Sequence, residues 1–303
     1  MAKDKVNGTD YVKVATYLFF DEYRKEREGD VPGVMYNKFI TLLYRELKPE
    51  KDIGLPHCWY RWGDTVVARC VPYVTWERRG HGRTVVGWNG AAPIFDHEDG
   101  VVPLIMKNIA EFMARHSGGE AHGTAKDEVY EGAPFKFQNE YRKLRESLES
   151  LSKNDLIGNR AEHVGGLFES AMREFPKKEF KQIADEREKF ETVFRMGLAN
   201  NASSADMSDF AELFWHFFCH HLRMNERCHD NVTAETLRTW AEDIPWEAVR
   251  MRHFLQDFAE KLSRKATGDP TIISLREDWK RRMDRADALT ESILGDPAIE
   301  RTG

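Results

Sequence analysis

The run Thr65-Val66-Val67-Ala68-Arg69-Cys70-Val71-Pro72-Tyr73-Val74-Thr75-Trp76 leads into Glu77-Arg78-Arg79-Gly80-His81-Gly82-Arg83 and then Thr84-Val85-Val86-Gly87-Trp88. β-Branched and aromatic side chains dominate on both sides of a glycine-containing turn, and such residues suit a pleated, half-buried surface better than a helix. The spacing predicts a β-hairpin with a cationic tip. Pro72 has no N–H to offer a ladder, so the first strand is expected to be an edge or to carry a bulge. The rest of the chain reads as helix, and this stretch therefore separates an α+β protein, predominantly helical, from an all-α one.

Upstream, Val14, Tyr17, Leu18, Phe19 and Phe20 predict a helix over residues 10–28, ended by Gly29-Asp30-Val31-Pro32-Gly33. Phe39, Leu42, Leu43 and Leu47 predict a second over 35–48, stopped by Pro49. Downstream, Ile105, Ile109, Phe112 and Met113 mark a helix over 101–116. Residues 117–134 read as a long polar loop with a short helix near Asp127–Tyr130. From Phe135 onward the apolar residues recur at helical spacing in about six segments, ending with Leu275, Trp279, Met283, Ala286 and Ile293. Ser208 and Thr233 are read as N-caps in this half. The expected organisation is an α+β domain over 1–134 and a helical bundle over 135–303.

Composition narrows the class. With 18 Phe, 8 Trp and 9 Tyr in 303 residues the chain can bury a sizeable core, and no apolar run reaches the ~18 residues of a membrane span. Cys58, Cys70, Cys219 and Cys228 form no CxxC pair, and the N-terminus leads into no apolar leader, so a reducing cytoplasm is the expected location. Residues 1–90 hold 15 basic and 12 acidic side chains, and the remainder holds 30 and 39. A polyanion would therefore meet the N-terminal part.

Two helices followed by a hairpin with Arg78, Arg79, His81 and Arg83 at its tip suggest a winged-helix arrangement, in which a cationic wing reaches a phosphate backbone. A strict helix-turn-helix needs a third helix before the wing. Only Lys51–Trp62 lies in place for it, and Gly54 and Pro56 suit a helix poorly. The alternative is an ordinary solvated hairpin.

Lys38-Phe39-Ile40-Thr41-Leu42-Leu43-Tyr44, followed by Ile53-Gly54-Leu55-Pro56-His57-Cys58-Trp59-Tyr60-Arg61-Trp62-Gly63, resembles the Panacea antitoxin domain. Where that family has Tyr-Gly-Pro-Val, this chain has Trp62-Gly63-Asp64-Thr65-Val66, without the proline. The resemblance spans residues ~14–135. It implies a non-enzymatic α+β module that binds a protein partner, often a toxin, or serves as an adaptor, and it brings no catalytic residues.

The densest chemical string is Trp215-His216-Phe217-Phe218-Cys219-His220-His221, continuing through Arg223 to Cys228-His229-Asp230. His216, Cys219, His220 and Cys228 supply enough nitrogen and sulfur for a tetrahedral zinc, in a spacing that matches no standard motif. The plainer reading is a buried aromatic helix with histidines at its end. Arg223 and His229 also fit the Arg-x(4–6)-His pattern of the HEPN ribonucleases, whose Arg stabilises phosphate charge and whose His moves a proton.

Asp96-His97-Glu98-Asp99 is an acidic loop that lacks the calcium pattern. Arg115-His116, Glu162-His163 and Arg252-His253 read as structural pairs on helix surfaces. No nucleotide, dinucleotide, nucleophile-elbow or metalloprotease motif occurs, and no cofactor is expected. The expected function is non-catalytic: capture of a protein partner, or DNA contact through residues 78–83, in a regulatory, antitoxin or defence setting. The helical half is a candidate homodimer surface. A HEPN-like ribonuclease and a purely structural helical protein are the alternatives.

Overall fold

The computed structural model describes residues 10–27, 29–79, 84–116, 121–151 and 156–264. The fold is α+β and mostly helical, with nine α-helices and two small antiparallel sheets among the described residues. Gly80, His81, Gly82 and Arg83 lie outside them, as does the helical stripe Leu275–Ile293.

The chain divides into two compact units. One comprises residues 1–134 and 219–242, the other 135–218 and 243–303. The division falls inside α8 (Ser204–Leu222) and inside α9 (Ala234–Arg264). Residues 219–242, which the sequence reading assigns to the helical half, thus belong to the first unit.

In the first unit, α1 (Tyr11–Glu26) starts where the Asp10 carboxylate accepts the Lys13 N–H at 3.0 Å. The helix α2 (Gly33–Leu47) follows the two-residue strand β1 (Val31–Pro32). Phe19 of α1 stacks flat on Phe39 of α2 at 4.2 Å. Phe112 of α3 (Val101–Arg115) meets both rings edge-on. Each such aromatic pair adds about 0.5–1.5 kcal/mol to the burial of its rings.

The expected strand over 65–76 is split. Its front belongs to β3 (Gly63–Val66), Ala68–Cys70 form a 3-10 turn, and Pro72 lies in the turn that precedes β4 (Val74–Arg78). Proline sits where no ladder hydrogen bond is required. The hairpin partner β5 (Thr84–Trp88) runs antiparallel to β4, and the first sheet has the order β1-β5-β4. Gly87 faces Thr75, and a Cβ there would lie 2.8 Å from the threonine hydroxyl, so glycine keeps the pair close.

The second sheet has the order β3-β2-β6, from β2 (His57–Tyr60) and β6 (His229–Asp230). The segment 51–62 therefore holds a strand where a third helix would stand. The expected loop over 117–134 contains a full helix, α4 (Ala121–Glu131), which buries Ala125, Val129 and Tyr130.

The second unit holds α5 (Lys136–Glu149), α6 (Ala161–Arg173), α7 (Ala184–Ala199), the first part of α8 and the later part of α9. Phe190 stacks on Phe214 at 4.0 Å, and Phe168 stacks on Phe194 at 4.2 Å. A Cβ on Gly197 would lie 2.4 Å from the Met207 sulfur, so glycine sets the approach of α7 to α8. The start of α8 is capped by Ser203, whose hydroxyl accepts the Asp206 N–H at 3.1 Å, rather than by Ser208. Thr233 does cap α9, accepting the Thr236 N–H at 3.2 Å. Among the described residues no helix is long and apolar enough to cross a membrane.

Candidate functional site

The richest polar chemistry of the first unit gathers on the second sheet. Asp52 accepts the Gly54 N–H at 2.8 Å, and Gly54 takes a φ of +74°, which turns the chain out of α2 toward β2. In β2 and β3 the side chains alternate between faces. His57, Trp59 and Asp64 point to one face, and Cys58 and Tyr60 to the other.

On the first face Asp64 is fully buried between His57 and Arg45. His57 Nδ1 lies 2.6 Å from one carboxylate oxygen, and the Arg45 guanidinium donates to the other at 3.1 Å. Burial by itself pushes the Asp64 pKa up; His57 and Arg45 outweigh it and hold the carboxyl below its ordinary value. Arg45 also donates to the Val129 carbonyl at 2.8 Å and lies over the Trp59 ring. Because ionised Asp64 only accepts, His57 Nδ1 is the donor. His57 Nε2 is buried and meets no hydrogen-bond partner among the described residues. A His–Asp dyad with its outer nitrogen closed off from solvent gives a substrate no approach, so it acts as a buried strut.

Beside it, Tyr44 donates to Asp230 at 2.8 Å, and Lys48 pairs with the same carboxylate. Burial and the Asp230 charge push the Tyr44 hydroxyl well above its ordinary range. The Trp59 N–H bonds to the Cys228 carbonyl at 2.7 Å, and β6 is thereby fixed on β2.

The turn between β2 and β3 is Arg61-Trp62. Neither residue takes a positive φ; the left-handed step falls on Gly63, at +93°. A Cβ there would sit 3.0 Å from Lys38 Nζ and 3.1 Å from Tyr130. Lys38, 3% exposed, donates its ammonium to the Trp62 carbonyl. The turn is thus held from beneath by a buried charge, while the Trp62 side chain is 58% exposed and the Arg61 guanidinium lies 4.9 Å from its ring centre.

On the opposite face Arg223 is enclosed. Its guanidinium lies between the rings of Tyr60, at 5.1 Å, and Trp240, at 4.9 Å, and it donates to His220 Nδ1 at 3.0 Å. Arginine has no acceptor, so His220 Nδ1 accepts and its Nε2–H donates to the Tyr60 oxygen at 3.1 Å. His229, across β2 from Cys58, has its pKa lowered, chiefly by burial. The ribonuclease candidates Arg223 and His229 share this face, but the guanidinium is already stacked and hydrogen-bonded inside the fold. Both ring nitrogens of His220 have protein partners. Cys219 and Cys228 belong to no group of three or more His, Cys, Asp or Glu ligand atoms within 4.8 Å among the described residues. His216 lies in the second unit, 3.8 Å from Glu247. Burial pushes the Cys58 and Cys228 thiols each up to about 12, so neither is a nucleophile at neutral pH.

Of the cationic hairpin, Arg78 and Arg79 are exposed at the end of β4. Arg79 pairs with Asp30 at 2.6 Å and Glu77 at 3.1 Å, so its charge is largely neutralised. Arg78 has no such pair among the described residues. His81 and Arg83 fall outside the described residues.

Asp99 accepts the Tyr11 hydroxyl at 2.7 Å and the Val101 N–H at 3.1 Å, so the acidic loop serves the start of α3. His116, read as a surface residue, is buried and bonded to Thr124 and Glu128, each at 2.9 Å. Sequence reasoning assigned Lys38, Asp64 and Trp62 no role beyond a motif comparison, and Arg45 none at all. Lys38 and Arg45 stand within the apolar stripe of α2, which is the one trace of their buried roles. No family model, curated protein or solved structure matches the chain.

Proposed function

We propose that this is a non-catalytic interaction protein whose first unit captures a protein partner through the β2–β3 turn. One observation carries the reading: Trp62 and Arg61 are presented together on a turn anchored by buried Lys38. Trp and Arg are the side chains most enriched among residues that dominate binding energy, and a pre-ordered turn loses little entropy on docking. A protein is favoured over DNA because Arg79, one of the cations read for phosphate contact, is paired with Asp30 and Glu77. The β4–β5 hairpin, read as a wing, would then be a secondary contact. The Panacea-like string at residues 38–63 ends on this turn and supplies the setting, an antitoxin or adaptor. Asp64 and Arg223 support a non-catalytic role, because each is buried and bonded within the fold.

The test is purification of the tagged full chain from its own host with nuclease treatment, comparing the native protein with Trp62→Ala. A stoichiometric protein partner should be retained by the native chain and lost by the variant, with the thermal midpoint unchanged. Retention by both would remove the turn from the interface. Retained nucleic acid, released by salt and by joint replacement of Arg78, Arg79 and Arg83 with Ala, would move the function to DNA.

A further inference from the structure

A cleft of about 280 Å³ opens in the first unit between α2, α3 and α4. Its apolar floor is formed by Phe39, Leu42 and Phe112. Four charged groups stand around it: Arg45, Glu46, Arg115 and Glu128. Three are compensated within the fold. Arg45 is paired with Asp64, Arg115 donates to Glu128 at 3.0 Å, and Glu128 also meets His116.

Glu46 is different: its exposed carboxylate makes no hydrogen bond or ion pair among the described residues. Asn108, 8% exposed, supplies a second acceptor. Its Nδ2 donates to the Leu104 carbonyl at 3.0 Å, which orients the amide and leaves Oδ1 without a hydrogen-bond partner among the described residues. The cleft therefore combines an apolar floor, one uncompensated negative charge and one carbonyl acceptor.

We propose that this cleft binds a small primary amine carried on an apolar stem, such as an arylalkylamine. The ammonium would donate to Glu46 and to Asn108 Oδ1, and the stem would lie against Leu42, behind which the rings of Phe39 and Phe112 are buried. The volume, about 280 Å³, falls just below the ~300–1,000 Å³ range of drug-sized ligand pockets, which suits only a compact molecule. An anion is disfavoured because each cation at the rim already has a carboxylate partner. The proposal is independent of partner capture by the β2–β3 turn.

The test is calorimetric titration of the full chain at neutral pH with 2-phenylethylamine, its neutral isostere 2-phenylethanol, and phenylacetate. The amine should bind saturably, the alcohol about tenfold more weakly, as expected for one charge-assisted hydrogen bond, and phenylacetate should not bind. Glu46→Gln should weaken amine binding by about tenfold without moving the thermal midpoint, since Glu46 has no partner to lose. Leu42→Trp should fill the floor and abolish binding, and Trp62→Ala should leave it unchanged. No amine binding, equal binding of amine and alcohol, full affinity in Glu46→Gln, or binding that survives Leu42→Trp would each overturn the proposal.

Discussion

Asp64 is the residue on which the second sheet depends, because its buried carboxylate holds His57 through one oxygen and Arg45 through the other. Asp64→Asn keeps the shape and removes the charge. It should lower stability by about 3–5 kcal/mol, measured by urea unfolding, because Arg45 then loses its ionic partner in a poorly solvated site. His221 governs the acid side of the stability curve. Burial lowers its pKa from 6.5 to about 4. As pH falls below 6.5 the unfolded chain takes up a proton that the folded chain refuses until about 4, so stability drops over that window. The loss should approach roughly 3 kcal/mol, and a His221→Phe variant should show a flatter profile between those pH values in chemical denaturation. Neither residue stood out in the sequence as a stability determinant. Asp64 lay in a motif comparison, and His221 in a string read for metal ligands.

The elements were legible to different degrees, and the reason is periodicity. Tyr11–Glu26, Gly33–Leu47 and Val101–Arg115 each carry an apolar stripe over three or more turns, and each forms the helix expected within about two residues. β2 was hidden because His57, Cys58 and Trp59 are all buried and Tyr60 partly so, which leaves no alternation of polar and apolar side chains. β6 was hidden because two polar residues, His229 and Asp230, have no pattern at all. The β2–β3 turn is also where a single backbone position matters most. Gly63→Ala should cost about 1–3 kcal/mol, since it places a Cβ at positive φ against Lys38 and Tyr130. The same variant should weaken partner retention together with Trp62→Ala, read from the same purification.

At the scale of the molecule, the first unit is discontinuous. Residues 219–242 return to it, and β6 completes the second sheet. A fragment ending at residue 134 lacks that strand, the Asp230 partner of Tyr44 and Lys48, and the Arg223–Trp240 stack. Hydrogen exchange should therefore find the Trp59 amide protected in the full chain and unprotected in residues 1–134, because its acceptor is the Cys228 carbonyl. Protection retained in the fragment would show that β2 and β3 close without β6.

The sequence by itself determined the class of fold, the main helices, the β4–β5 hairpin and the helical character of the second unit. These follow from local rules: periodic apolar stripes, β-branched runs, and the punctuation of Gly and Pro. The tertiary structure alone decided which charges are interior. Lys38, Asp64 and Arg223 are ordinary surface residue types, and each is buried among partners supplied by other elements: Trp62 for Lys38, Arg45 for Asp64, and Tyr60 for Arg223. It likewise decided that residues 219–242 belong with the N-terminal unit, since a two-residue strand is specified by the edge it meets rather than by its own side chains. The candidate site follows the same division. The basic hairpin could be read from composition, whereas the exposed Trp62 on a turn braced by Lys38 depends on contacts across 24 residues of chain.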